Sequence, residues 1–321
     1  MKTTGCAGLM AFCLFGVANL GAQPYPNRVI RLVSPYAPGG ATDVMARAMA
    51  QELTKALGQN VVVENRPGAG GVIGANYVAK STPDGYTLLL ASPSPMVVLP
   101  HLNKSMPYDP FNDFAPVILL TVVPAIMAVH PSLPVKTVKD FIAFAKARPG
   151  ALTYSSSGNG GTGHLAGALF DFRSGTRMTH VPYSGTSPAA TAVLAGEVSL
   201  SFGDTFGMVP HVKSGRLRAL AIAALNRTAM LPGIPTVAET VPGYTAGPWQ
   251  GLLVAAKTPP DIIARLNKAS VGVLQSAEMK AILSTVGADI IASTPAEFTA
   301  AMREESDRWA NVIREAGIKG E

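Results

Sequence analysis

Asn27-Arg28-Val29-Ile30-Arg31-Leu32-Val33-Ser34 is a β-branched run that reads as a strand, broken by Pro35 to Gly40. Thr42-Asp43 then opens a helical pattern in which Met45, Met49, Leu53 and Leu57 recur at near four-residue spacing, until Gly58 ends it. That spacing makes the two methionines core residues. The alternation continues with Val61-Val62-Val63-Glu64 as a second strand, Gly68 to Gly71 as a turn and Val72 to Lys80 as a short helix. Pro83-Asp84-Gly85 is a turn signal, and Tyr86-Thr87-Leu88-Leu89-Leu90-Ala91 is a third strand. The order β-α-β-α-β implies a parallel sheet covered by helices.

A second unit begins after Phe114. Val117 to Leu120 and Ala125 to Val129 are apolar runs separated by Pro124, and Thr137 to Ala147 is a helix. Leu152 to Ser156 is a strand, followed by a Gly-rich turn and a helix from His164 to Phe172. Thr179 to Tyr183 is a strand, Thr186 to Leu194 a helix, and Val198 to Phe202 and Arg218 to Ala223 are strands. Trp249 to Ala255 is an apolar strand, with helices after it from Pro259-Pro260-Asp261 to Leu274, from Ala277 to Thr285 and from Pro295 to Ala316. Two similar α/β halves joined by strands predict a two-lobed α/β protein with a cleft between the lobes.

Composition bounds what that protein does. The chain has 321 residues, 48% hydrophobic and 14% charged, a length that suggests about two domains with proper cores. The net charge is +6, but Lys and Arg are spread thinly and form no basic run, so a nucleic-acid partner is not expected. Met1-Lys2-Thr3-Thr4 is a short positive segment, Gly5 to Leu20 is apolar and uncharged, and small residues follow. This is the pattern of a secretory leader, with cleavage expected after Ala22 and Ala18 as the alternative. Both cysteines, Cys6 and Cys13, lie in it, so the mature chain would hold no disulfide, thiolate metal site or cysteine nucleophile.

Ligands of open α/β sheets sit beyond the carboxyl ends of strands. Three turns rich in small residues occupy that position: Pro38-Gly39-Gly40-Ala41-Thr42-Asp43, Arg66-Pro67-Gly68-Ala69-Gly70-Gly71, and Ser155-Ser156-Ser157-Gly158-Asn159-Gly160-Gly161-Thr162-Gly163-His164. Each leads into a helix, whose first-turn N–H groups favour an anion. The alternative for the first is a plain turn capped by Thr42 or Asp43; for Arg66 it is a pair with Glu64 or Asp43, and for His164 a packing or capping role. Gly158, Gly160 and Gly163 match the dinucleotide pattern G-x-G-x-x-G. The acidic residue that pattern needs about 20 residues on is missing, so no dinucleotide is expected.

Catalytic constellations are poor. The five histidines form no i, i+4 pair, and H-E-x-x-H, G-x-S-x-G and P-loop motifs are absent. Glu304, Glu305 and Asp307 lie among Arg303 and Arg308 and read as a solvated helix face. No enzyme, cofactor or metal is expected; the alternative, an exported enzyme acting on an anionic substrate, needs a nucleophile or base pair that the sequence does not show.

At its glycine-rich turns the sequence resembles a known family, the extracytoplasmic solute-binding proteins of tripartite tricarboxylate transporters, also called Bordetella uptake (Bug) proteins. The resemblance rests on Pro38-Gly39-Gly40 with Asp43 and Ala46-Arg47, on Glu64-Asn65-Arg66-Pro67-Gly68-Ala69-Gly70-Gly71, and on Pro83 to Leu88. It continues through Pro107-Tyr108-Asp109-Pro110, Tyr154 to Leu165, Val181-Pro182-Tyr183-Ser184-Gly185, Pro235-Thr236-Val237, Trp249 with Gly251-Leu252, and Arg265-Leu266-Asn267. It covers essentially the whole mature chain in order.

The resemblance implies a type II periplasmic-binding-protein fold, with one lobe from residues 23–122 and 247–321 and the other from 123–246. It implies a periplasmic, monomeric protein that captures a small mono- or dicarboxylate for a membrane permease of the tripartite tricarboxylate type, or for a membrane sensor. One ligand carboxylate would be held mainly by main-chain groups at Gly39, Gly40, Ala41 and Thr42, beside Gly70, Gly71 and Ser92. The opposite lobe would supply Ser157, Gly158, Gly160 and His164, then Tyr183, Gly185 and Thr186, and Asp204. Asp204 would repel a second ligand carboxylate unless it is protonated or accepts from a ligand hydroxyl or ammonium, or else serve as a strand-end residue satisfied by backbone N–H groups. Ser92-Pro93-Ser94-Pro95 and Ser184 depart from the usual family pattern beside the cleft. Mass spectrometry of the exported protein is expected to find Gln23 at its N-terminus; an intact Met1 would contradict the leader.

Overall fold

The computed structural model describes residues 25–315 apart from residues 40, 157, 160, 184, 185, 225, 226, 229 and 245; the leader and its cleavage site lie outside the described residues. The chain runs β1 (Ile30–Ser34), α1 (Ala41–Leu57), β2 (Val61–Asn65), α2 (Val72–Ala79), β3 (Thr87–Ala91), α3 (Leu99–Leu102) and β4 (Phe114–Val122). It continues through β5 (Ala125–Val129), α4 (Val138–Lys146), β6 (Thr153–Ser156), α5 (Thr162–Ser174), β7 (Thr179–Pro182), α6 (Thr186–Leu194), β8 (Leu200–Asp204), α7 (Thr205–Lys213) and β9 (Arg218–Ile222). Then come β10 (Trp249–Ala255), α8 (Pro260–Gln275), α9 (Ala277–Val286), β11 (Asp289–Ile290) and α10 (Pro295–Glu315).

The strands form two sheets, ordered β11-β4-β10-β3-β1-β2 and β7-β6-β8-β5-β9. In the first, β1 pairs in parallel with β2 and β3, while β10 runs antiparallel between β3 and β4. β10 is buried along its whole length, as a central strand with both faces covered must be. Met45, Met49, Leu53 and Leu57 of α1 are buried against Ile30, Leu32, Leu88 and Leu90, so the near four-residue spacing does mark the core face. The other face of this sheet packs under α10 through Phe298, Met302 and Trp309, and that apolar cluster runs on into Met127, Phe170 and Phe202 of the second lobe.

Two short crossings join the lobes. β4 ends at Val122 in one sheet and β5 starts at Ala125 in the other; the return passes Gly247-Pro248 into β10. The crossings lie side by side, with the Val123 N–H donating to the Pro248 carbonyl at 2.7 Å. A Cβ at Gly247 would lie 3.0 Å from the Val123 carbonyl oxygen, so the small residue permits this approach.

The structure corrects several sequence expectations. The apolar run 117–120, read as opening the second unit, is part of β4 in the first sheet. β8 lies two residues later than expected, and α7 directly after it was not foreseen because Gly207 and Pro210 break its pattern. Ser94–Val98 forms a π-type turn leading into α3, where the sequence reading assigns no element. Glu305 is not solvated. Its carboxylate accepts from the indole N–H of Trp249 and, at 3.1 Å, from that of Trp309, and it pairs with Arg308 at 3.2 Å.

The start of α1 is fixed by one carboxylate. Asp43 is buried and accepts from the Gly39 N–H at 3.0 Å, Arg47 Nε at 2.9 Å and Asn65 Nδ2 at 2.8 Å. Asn65 also donates to the Tyr36 carbonyl, so Asp43 ties the 36–43 turn to the end of β2. Burial by itself would raise the Asp43 carboxyl, but the bonds from Arg47, Gly39 and Asn65 outweigh it and hold it down to about 2. A depressed carboxylate stabilises the fold above its unfolded pKa of about 3.9, and that contribution is lost as pH falls toward the folded value. Asp43→Ala is therefore expected to cost about 1.5–3 kcal/mol in urea unfolding near neutral pH. The gap to wild type should shrink near pH 2; an unchanged gap would contradict this role.

Candidate functional site

A cavity of about 420 Å³ lies between the lobes, where the carboxyl ends of β1, β3, β6 and β8 face the crossings. This volume falls within the range of small-molecule pockets. From the first lobe its wall includes Tyr36 after β1, Thr42 in the first turn of α1, Gly70, and Ser92, Pro93 and Ser94 after β3. Val123, Ala125, Pro248, Trp249 and Gln250 of the crossings form its back. The second lobe contributes Ser156, Gly158, Asn159, the segment 161–163 at the start of α5, Ala189, and the end of β8 from Ser201 to Asp204.

Hydrogen bonds fix the polar groups of this wall. The Tyr36 and Ser92 hydroxyls lie 2.7 Å apart, and burial pushes the Tyr36 phenol up, so it stays protonated at neutral pH. Gln250 Nε2 donates to Thr42 Oγ1 at 3.4 Å, linking a crossing strand to the first turn of α1. Ser156 Oγ accepts from the Gly158 N–H at 3.2 Å and lies 2.6 Å from His180 Nε2. The His180 ring stacks on His164 at 3.9 Å. Burial, then the neighbouring His164, pushes His180 down to about 4, and burial also lowers His164, so the pair is uncharged at neutral pH. Trp249 is held from behind by Glu305, whose carboxyl is raised by burial.

Three helices present their N-termini here, and they differ in what fills them. α1 carries Asp43 in its first turn. α7 is capped by Asp204, whose Oδ1 accepts from the Gly207 N–H at 2.7 Å. α5 starts at the Gly161 N-cap with no side-chain cap and no acid in its first turn. The Gly161 N–H donates to the Gly158 carbonyl at 3.3 Å, and among the described residues no side chain caps the Thr162 and Gly163 N–H groups. α5 also packs closely on β8: a Cβ at Gly163 would lie 2.7 Å from the Phe202 carbonyl oxygen.

Of the residues expected from sequence, Thr42, Gly70, Ser92, Gly158 and Asp204 lie on this wall. Gly39, Gly71, His164 and Tyr183 do not: the Gly39 N–H is committed to Asp43, that of Gly71 to the Gly68 carbonyl, and that of Tyr183 to the Ser156 carbonyl. Gly40, Ser157, Gly160 and Gly185 lie outside the described residues, as do the side chains of Ala41 and Thr186. Arg66 takes the structural role, 2.6 Å from Glu64 and stacked on Tyr77. Tyr36, Gln250 and Trp249 were missed, because an aromatic after a strand or an amide in an apolar strand carries no motif. Among the described residues no three His, Cys, Asp or Glu side chains gather to hold a metal, and no helix is long and apolar enough to cross a membrane.

The family model for the tripartite tricarboxylate transporter family receptor matches residues 45–318. Protein BugT of Bordetella pertussis is 40% identical over 304 residues, 94% of this chain and 93% of that protein. Among solved structures, a protein of R. palustris with adipate is 36% identical with a TM-score of 0.82, covering 92% of this chain and 100% of that one. MatC from Rhodopseudomonas palustris with bound malate is 32% identical with a TM-score of 0.78, covering 90% and 100%. These agree with the type II periplasmic-binding-protein architecture of two lobes and a cleft. The chain belongs to the tripartite tricarboxylate transporter receptor family, the Bug-type solute-binding proteins.

Proposed function

We propose that this chain is a periplasmic receptor that captures a small organic acid in the interlobe cavity and delivers it to a tripartite tricarboxylate-type permease, without transforming it. The observation that carries this reading is the unfilled N-terminus of α5 on the wall of a cavity between two sheets. A carboxylate there would accept from the main-chain N–H groups of Thr162 and Gly163, with the Thr42, Ser92 and Ser156 hydroxyls nearby. Charge-assisted hydrogen bonds contribute roughly 1.5–3 kcal/mol each, and a partly buried helix terminus up to ~2 kcal/mol. A few such contacts offset the desolvation of the acid and its lost freedom. In this reading the lobes are residues 23–122 with 247–321 and residues 123–246, and they close about the paired crossings at 123 and 248. Closure excludes water and gives the permease a liganded shape to recognise. The bound adipate and malate of the two solved relatives support the ligand class.

Gly161→Asp tests the cradle without harming the fold. The Gly161 N-cap sits at φ −74°, ψ 162°, a conformation that Asp adopts readily as a cap. An aspartate there would fill α5 as Asp204 fills α7. By calorimetry against a panel of mono- and dicarboxylates, the variant is expected to keep or raise its Tm and to lose at least 100-fold in affinity. Undiminished binding would contradict the site. Intrinsic fluorescence offers an independent check. Trp249, on the cavity wall, shares the Glu305 carboxylate with Trp309, the chain's other tryptophan. Ligand is expected to shift the emission; a ligand bound with no change would lie elsewhere.

A further inference from the structure

Asp204 stands on the wall of a cavity whose lining contains no lysine, arginine or histidine. The residues left undescribed between 25 and 315 are Gly, Ser, Leu, Asn, Ala and Thr, so none of them supplies a cation either. Asp204 caps α7 through Oδ1, so its carboxylate is fixed in place rather than free to swing away. Its backbone pairs with Ala125 at the crossing, which sets it at the hinge end of the cavity, beside Val123 and Pro248. The helix terminus on this side is therefore already filled by a negative charge, whereas that of α5 is not.

From this distribution, and resting on the carboxylate reading above, we infer that the cavity selects acids with a single carboxylate and a hydrogen-bond donor at the far end, hydroxyl or ammonium, and discriminates against dicarboxylates. A bound monoacid places its carboxylate on the α5 amides, and its distal donor gives a hydrogen bond to Asp204. A second ligand carboxylate would instead face Asp204 with no cation to separate them, and like charges in a water-poor cavity repel strongly. A plain alkyl end would leave the Asp204 carboxylate stripped of water without a new partner. Specificity thus arises from one attractive and one repulsive element acting at the same residue.

The test is calorimetry on the mature chain with two matched sets of straight-chain acids. The four-carbon set is butyrate, 4-hydroxybutyrate, 4-aminobutyrate and succinate; the six-carbon set is hexanoate, 6-hydroxyhexanoate, 6-aminohexanoate and adipate. In at least one set the hydroxy or amino acid should bind at least about tenfold more tightly than the dicarboxylate and the alkyl acid. Asp204→Asn, which retains an N-capping side chain and so the start of α7, should keep its Tm and improve the dicarboxylate about tenfold or more relative to the amino acid. A wild-type preference for succinate or adipate, or a selectivity that Asp204→Asn leaves unchanged, overturns the inference while the carboxylate site stands. Failure of all eight acids to bind either protein overturns the carboxylate reading itself.

Discussion

An α-helix that begins without a side-chain cap leaves N–H groups that must find a partner, and among the described residues no side chain supplies one to Thr162 or Gly163 at the start of α5. Among the described residues the cavity wall carries no cation with which to neutralise an acid, so its attraction for one comes from main-chain dipoles. Such a site is small and strict in geometry, with the Asp204 carboxylate as the charged side chain on its described wall. It can take an anion without the long, mobile side chains that a lysine or arginine clamp would bring. The glycines at 161 and 163 serve it directly, since at Gly163 the close contact with the Phe202 carbonyl leaves no room for a Cβ.

The rest of the structure holds the opposing wall in register with those amides. Asp43 locks the turn before α1 to β2, and Gln250 links the first turn of α1 to the crossing strand. Glu305 collects both tryptophans and Arg308 on one buried carboxylate, anchoring α10 to the start of β10 just behind the cavity. A polar group in that position braces the start of β10 beside the point where the two crossings meet. The bond from the Val123 N–H to the Pro248 carbonyl keeps the crossings together as a single joint.

Much of this was legible in the sequence for a physical reason. Strands buried on both faces read as continuous apolar runs, and α1 shows its core face through Met45, Met49, Leu53 and Leu57. The glycine-rich turns announced where the cavity would be, and Thr42, Gly70, Ser92, Gly158 and Asp204 do lie on its wall. What sequence did not show was which N–H groups were already engaged. Gly39 and Gly71 looked available, yet each donates within the protein, as does Gly161 to the Gly158 carbonyl. That depends on tertiary partners, as does the fate of Glu305, whose neighbours in sequence suggested a solvated face while Trp249, 56 residues away, takes it into the interior. α7 was hidden by Gly207 and Pro210, and with it the capping role that fixes Asp204.

The central claim, that the amides opening α5 receive the ligand's carboxylate, is tested most directly by amide NMR of the ¹⁵N-labelled protein during titration with a bound acid. The account predicts large downfield shifts of the Thr162 and Gly163 amide protons that saturate with the binding isotherm. Saturable binding that leaves those resonances unmoved would contradict it.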